Sequence, residues 1–96
     1  MTLEELRSEK RDTILAIARR HGVTSVKVFG SFAKGQATPS SDLDLLVEAG
    51  SRTSPFFPGG LLVDLQEALG RKVDVVEPQG LNPQLRDEIL REAVPL

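Results

Sequence analysis

Three short runs of apolar and β-branched residues, Ser25–Phe29, Leu43–Val47 and Lys72–Val76, constrain this chain most. Each reads as a strand, and the segments around them carry helical spacing. Thr2 and Glu5 stand at capping-box distance, and Leu3, Leu6, Ile14, Ile17 and Ala18 then recur mostly at three or four residues. This predicts an amphipathic helix ending near Arg20 and stopped by Gly22. Ser31 to Lys34 reads as a short helical turn closed by Gly35. Leu61, Leu62, Leu65, Ala68 and Leu69 predict a helix stopped by Gly70, and Pro83 opens a last helix running to about Ala93. Helices and strands interleaved in this order around one sheet make the fold class mixed α/β, a small sheet with helices packed on it.

A chain of 96 residues makes one small domain spanning 1–96, with a modest core and little room for a deep private pocket. The formal net charge of -2 argues against a bulk electrostatic grip on nucleic acid. Cysteine is absent, so neither a disulfide framework nor a thiolate metal site is available. Met1-Thr2-Leu3-Glu4-Glu5 lacks the basic-then-apolar pattern of a secretory signal, and no apolar run approaches bilayer length. The expectation is a cytoplasmic protein without a membrane partner.

Two of the strand-like runs carry an aspartate where an apolar residue would be cheaper. Asp42 and Asp44 are two apart, so their side chains leave the same face of a strand, roughly 7 Å apart at Cα. Two negative charges at that distance repel by roughly 2 kcal/mol at an effective dielectric of about 20, a cost that a structural role does not explain. A divalent cation between them reverses the sign, and an all-oxygen ligand set suits magnesium, with manganese as the alternative. Asp42, straight after Ser41, could also be a loop cap. Asp44, between Leu43 and Leu45, has no such excuse, because aspartate is a poor strand former. Asp74 repeats the anomaly inside Val73-Asp74-Val75-Val76 and completes a three-carboxylate cluster if the third strand pairs beside the second. Asp64 is a rival, but its helix turns it to solvent.

Gly30-Ser31-Phe32-Ala33-Lys34-Gly35 follows the first strand. Glycine there lets the backbone approach a ligand closely, and amide N–H groups and the Ser31 hydroxyl can donate to phosphate oxygens. The pattern is not the P-loop of the familiar NTPases, which ends in Gly-Lys-Ser or Gly-Lys-Thr, whereas Lys34 here precedes Gly35. Lys34 either neutralises a triphosphate or is simply solvated.

Taken together, Gly30-Ser31, Gly35, Ser41, Asp42, Asp44 and the later Asp74 resemble the nucleotidyltransferase superfamily typified by DNA polymerase beta and kanamycin nucleotidyltransferase. The compact size resembles its minimal nucleotidyltransferases, the MNT proteins, over nearly the whole chain. The resemblance implies that Gly30 and Ser31, with Lys34 and Ser41, bind the triphosphate of ATP. It also implies that Asp42 and Asp44 hold two magnesium ions, while Asp74 helps ligate metal and deprotonates the attacking hydroxyl. Lys34 departs from the family, where arginine is frequent, and loses forked donor geometry.

The same resemblance implies the partner. Minimal members pair with a HEPN-domain toxin, and some adenylylate a toxin tyrosine; this chain has no tyrosine of its own to modify. The expected function is metal-dependent transfer of AMP from ATP to a hydroxyl on such a partner, in a toxin–antitoxin system. Two alternatives stand beside it: a non-catalytic antitoxin acting by contact, and the catalytic subunit of a split nucleotidyltransferase for a small molecule such as an aminoglycoside. Phe56 and Phe57 read as core anchors rather than a stacking platform for a base. His21, the only histidine, reads as a helix-end or surface residue.

Overall fold

The computed structural model describes residues 1–51 and 57–96. The Oγ1 of Thr2 accepts the Glu5 N–H at 3.2 Å, starting the N-terminal helix as its capping spacing predicts. That helix is not uniform: α1 (Leu3–Glu5) widens into a π-helical turn over Leu6–Lys10 before α2 (Arg11–Arg20). Packing explains the widening. Leu6 and Ile14 are both completely buried. In an unbroken helix, residues eight apart would diverge by about 80°, and a wide turn that absorbs one extra residue returns both to the same face.

Four strands form one sheet in the order β3-β2-β1-β4. They are β1 (Val23–Phe29), β2 (Leu43–Ala49), β3 (Val73–Val76) and β4 (Val94–Pro95). β1 runs antiparallel to β2 and β4, and β2 runs parallel to β3. β4 has no counterpart in the sequence reading, since two residues cannot display an alternating pattern. It is held from outside: Arg7 donates to the Pro95 carbonyl at 2.8 Å, Arg11 to the Leu96 carbonyl at 2.9 Å, and Leu96 N–H to the Val26 carbonyl at 3.2 Å.

Between β1 and β2 lies α3 (Gly30–Ala33), and α4 (Gly59–Leu69) precedes β3. α4 ends on Gly70, whose φ of 64° only glycine adopts freely. The Gln66 side chain of α4 accepts the Val73 N–H at 3.1 Å, fixing where β3 begins. A 3₁₀ turn at Pro78–Gly80 leads to α5 (Pro83–Glu92), whose Asn82 cap accepts from Gln84 N–H at 2.9 Å.

Leu43, Leu45 and Val47 of β2 join Val26, Val28 and Val73 in a core closed by Leu6, Ile14 and Ile17 of the N-terminal helices and Leu61 and Leu65 of α4. Strand alternation therefore sends Asp44 and Asp74 to the face these helices do not cover. Phe57 packs half-buried against the core, as an anchor should; Phe56 lies outside the described residues.

One expectation needs correction. Asp64 does not simply face solvent: its Oδ2 is 2.6 Å from Nε2 of His21, which caps α2 and keeps only 18% of its side chain exposed. A helix end and a neighbouring helix are thus clamped by one side-chain hydrogen bond, which spacing within either helix could not reveal. Among the described residues, no helix is long and apolar enough to cross a membrane.

Candidate active site

One row of residues crosses the sheet face opposite the core helices. Phe29, the last residue of β1, lies opposite Asp44 on β2, and Asp44 lies opposite Asp74 on β3. Parallel pairing with direct register puts both carboxylates on one face at neighbouring-strand distance. Gly30 follows Phe29 with φ of 70°. A Cβ added there would collide with Oδ2 of Asp44 and come 3.2 Å from its Cγ. The glycine is therefore required twice, by its backbone conformation and by the carboxylate seated against it.

Asp44 is half-buried, and its carboxyl is held above the ordinary value of 3.8 by burial first, then by the charges of Asp74 and Asp42, with a hydrogen bond to Asp74 adding to them. The three aspartates therefore sense one another, but not as a ready-made cage. Among the described residues, no three acidic or histidine side chains converge as a metal-ligand group. The expected three-carboxylate cluster is instead a close pair, Asp44 with Asp74, and a third member turned aside. Asp42, just ahead of β2, points its Oδ2 at the Lys72 ammonium, 3.6 Å away. Mutual repulsion and a competing cation account for that arrangement.

The remaining sequence candidates are placed less centrally. Ser31 is half-buried in the first turn of α3, directly after Gly30. Lys34 closes α3 and reaches Glu92 of α5 at 3.5 Å, so it braces two helices from an exposed position. The Ser41 hydroxyl folds back on its own loop, accepting the Thr38 N–H at 2.8 Å. It shapes the approach to Asp42. Sequence reasoning missed Lys72 and its neighbour Arg71, which donates to the Ser41 carbonyl at 3.3 Å. The available signal was an Arg-Lys pair immediately before an aspartate-bearing strand.

The donor chemistry fits a hard divalent cation: every carboxylate of the row supplies oxygen, no softer ligand intrudes among the described residues, and the neighbouring charges that add to the effect of burial on Asp44 are ones such an ion would neutralise. A glycine turn pressed against paired strand carboxylates can place a phosphate beside a divalent cation. Comparison with known proteins agrees, and the chain belongs to the nucleotidyltransferase domain family, whose sequence profile matches residues 10–96.

Among its relatives, a Methanocaldococcus jannaschii protein provisionally named a protein adenylyltransferase is 39% identical over 87 residues, covering 91% of this chain and 94% of its own. The protein adenylyltransferase MntA of Thermococcus cleftensis is 34% identical over 94 residues, covering 98% and 95%. A solved structure provisionally described as a minimal nucleotidyltransferase superposes with a TM-score of 0.85 at 45% identity, covering 100% of this chain and 97% of that one. A toxin–antitoxin structure determined with AMP-PNP shares the fold, with a TM-score of 0.76 at 22% identity over 90% of this chain and 71% of its own.

Proposed function

We propose that this nucleotidyltransferase moves AMP from ATP to a hydroxyl group on a partner protein, a HEPN-domain toxin that the modification silences. The observation that carries the reading is the direct register of Asp44 with Asp74 beside a glycine that must lack a Cβ. Relatives named for protein adenylylation and a shared fold with a toxin–antitoxin structure holding an ATP analogue support it.

In the reaction, the acceptor oxygen bonds to the α-phosphorus, the bond from that phosphorus to the bridging oxygen breaks, and pyrophosphate leaves. Asp42, Asp44 and Asp74 would hold the divalent ions, magnesium or manganese, whose bound chemistry is charge neutralisation on the phosphates and a lowered pKa of the attacking hydroxyl. The chain's own residues do the positioning. Gly30 and Ser31 present backbone and hydroxyl donors to the phosphates from the turn that abuts Asp44. Asp74, exposed on edge strand β3, is open to an acceptor from another chain and takes its hydroxyl proton on a carboxylate oxygen. Lys34 and Lys72 leave their exposed ion pairs to screen the triphosphate and the departing pyrophosphate.

The test is transfer of label from ATP marked at the α-phosphate, in magnesium, to a purified HEPN-domain partner. Label on the partner that is lost in Asp42→Asn plus Asp44→Asn is the expected result. An unlabelled partner that is still neutralised by the double variant would sink the catalytic reading in favour of neutralisation by contact. Label appearing on an aminoglycoside instead would assign a small-molecule acceptor.

A further inference from the structure

Arg71 touches both halves of the site while belonging to neither. Its guanidinium carbon lies 5.1 Å from the ring centroid of Phe32. Phe32 is buried in α3 and directly follows Ser31 of the glycine turn. Its Nη1 donates to the carbonyl of Ser41, the residue before Asp42, at 3.3 Å. One half-buried side chain, anchored just ahead of β3, therefore spans from the phosphate turn to the loop that delivers a carboxylate.

At its start the loop is tied to the turn by Gln36 N–H donating to the Ser31 carbonyl at 2.9 Å, but nearer Asp42 its own bonds are local. The hydrogen bonds of Thr38, Ser40 and Ser41 are made among themselves, with Ser41 N–H to the Thr38 carbonyl at 3.0 Å and Thr38 N–H to the Ser41 hydroxyl at 2.8 Å. They set the loop's shape but not its distance from Gly30. On the far side the strand begins where Leu43 N–H meets the Lys72 carbonyl at 3.1 Å, so the backbone bearing Arg71 is itself registered to β2.

We infer that Arg71 is a positioning residue for nucleotidyl transfer: it fixes the spacing between the Gly30-Ser31 turn and Asp42. A guanidinium suits the task because its flat face stacks on an aromatic ring while its edge donates in the plane, two contacts in fixed relative orientation. An ammonium provides either contact but does not lock them together. The inference rests on the proposed use of this site by a nucleotide and a divalent ion.

The test uses the full chain with Arg71→Met, which keeps an apolar stem over Phe32, and Arg71→Lys, which keeps the charge. Three quantities are read: Mn²⁺ affinity of the free protein by electron paramagnetic resonance, kcat and KM for ATP in the labelled-transfer assay, and the thermal midpoint. For Arg71→Met, the expectation is a loss of about tenfold in both Mn²⁺ affinity and kcat. Its KM for ATP stays within about twofold and its midpoint is nearly unchanged. Arg71→Lys falls between Arg71→Met and the unmodified chain. A KM raised about tenfold at constant kcat would mean direct contact with the nucleotide and overturn positioning, and so would unaltered Mn²⁺ affinity and kcat. If Arg71→Met does not fold, Arg71→Lys alone is held to the same criteria. Absence of any transfer by the unmodified chain would refute the adenylylation reading separately, while Mn²⁺ affinity would still decide the role of Arg71.

Discussion

The two faces of β2 differ as much as two proteins. Toward the helices, Leu43, Leu45 and Val47 are almost wholly removed from water and meet α4 and the N-terminal helices in the core. Toward the open face, Asp44 sits between them with a second carboxylate across the register and a third two residues away. One face gains stability from every residue; the other buries Leu46 but also holds like charges together and leaves Asp44 harder to ionise. Strand alternation lets the same seven residues do both.

The largest effect separates the faces by function. Asp44→Asn is expected to lower labelled transfer by about 10³-fold while the chain stays folded. Transfer kinetics with circular dichroism in parallel check this, and activity within tenfold of the unmodified chain would dissolve the contrast. On the buried face, Leu45→Ala is expected to cost about 3 kcal/mol by urea unfolding, because a completely buried leucine leaves a cavity in a small core. Gly30→Ala is expected to cost about 2 kcal/mol, since alanine meets both a positive φ and the Asp44 carboxylate. Combining it with Asp44→Ala should return the collision share but not the conformational share. Additive costs in that double variant would show that the carboxylate is not seated on the glycine.

Sequence patterns made most of this legible. Helix starts and stops followed from Thr2, Gly70 and the apolar spacing, and the paired aspartates stood out because aspartate is wrong for an apolar strand. Three things were not legible. The π-helical turn answers to the burial of Leu6 beside Ile14, a tertiary demand. β4 exists because Arg7 and Arg11 hold a two-residue segment from across the molecule. Asp42 turns to Lys72, thirty residues on, so the spacing that placed it beside Asp44 could not foresee its partner. Local pattern supplied the elements, while long-range charge and packing decided where individual side chains went.

A smaller effect sharpens the contrast through pH. Burial, and then the neighbouring aspartates, hold the folded-state pKa of Asp44 above 3.8, its ordinary value. Below 3.8 the carboxyl is protonated whether folded or not and contributes nothing. As pH rises through the interval up to the folded-state pKa, only the folded chain resists ionising, so stability falls; above that interval the cost is constant. Asp44→Asn, measured in EDTA from pH 3 to 8, should therefore match the unmodified chain in acid. It should then become the more stable of the two near neutrality. An advantage that shrinks as pH rises would contradict the raised pKa.

The smallest expected effect lies at the other end of the fold, where the side chains pair rather than repel. His21 and Asp64 clamp the end of α2 to α4, with 18% and 43% of their side chains exposed. A partly exposed pair is screened, so a double-mutant cycle with His21→Ala and Asp64→Ala should give a coupling of about 0.5 kcal/mol. The clamp lies outside the aspartate row, so neither substitution should change labelled transfer by more than about twofold. A coupling above about 2 kcal/mol would mean that this contact stabilises the fold as heavily as a core side chain does. The division of labour between a stabilising region and a strained one would then be wrong.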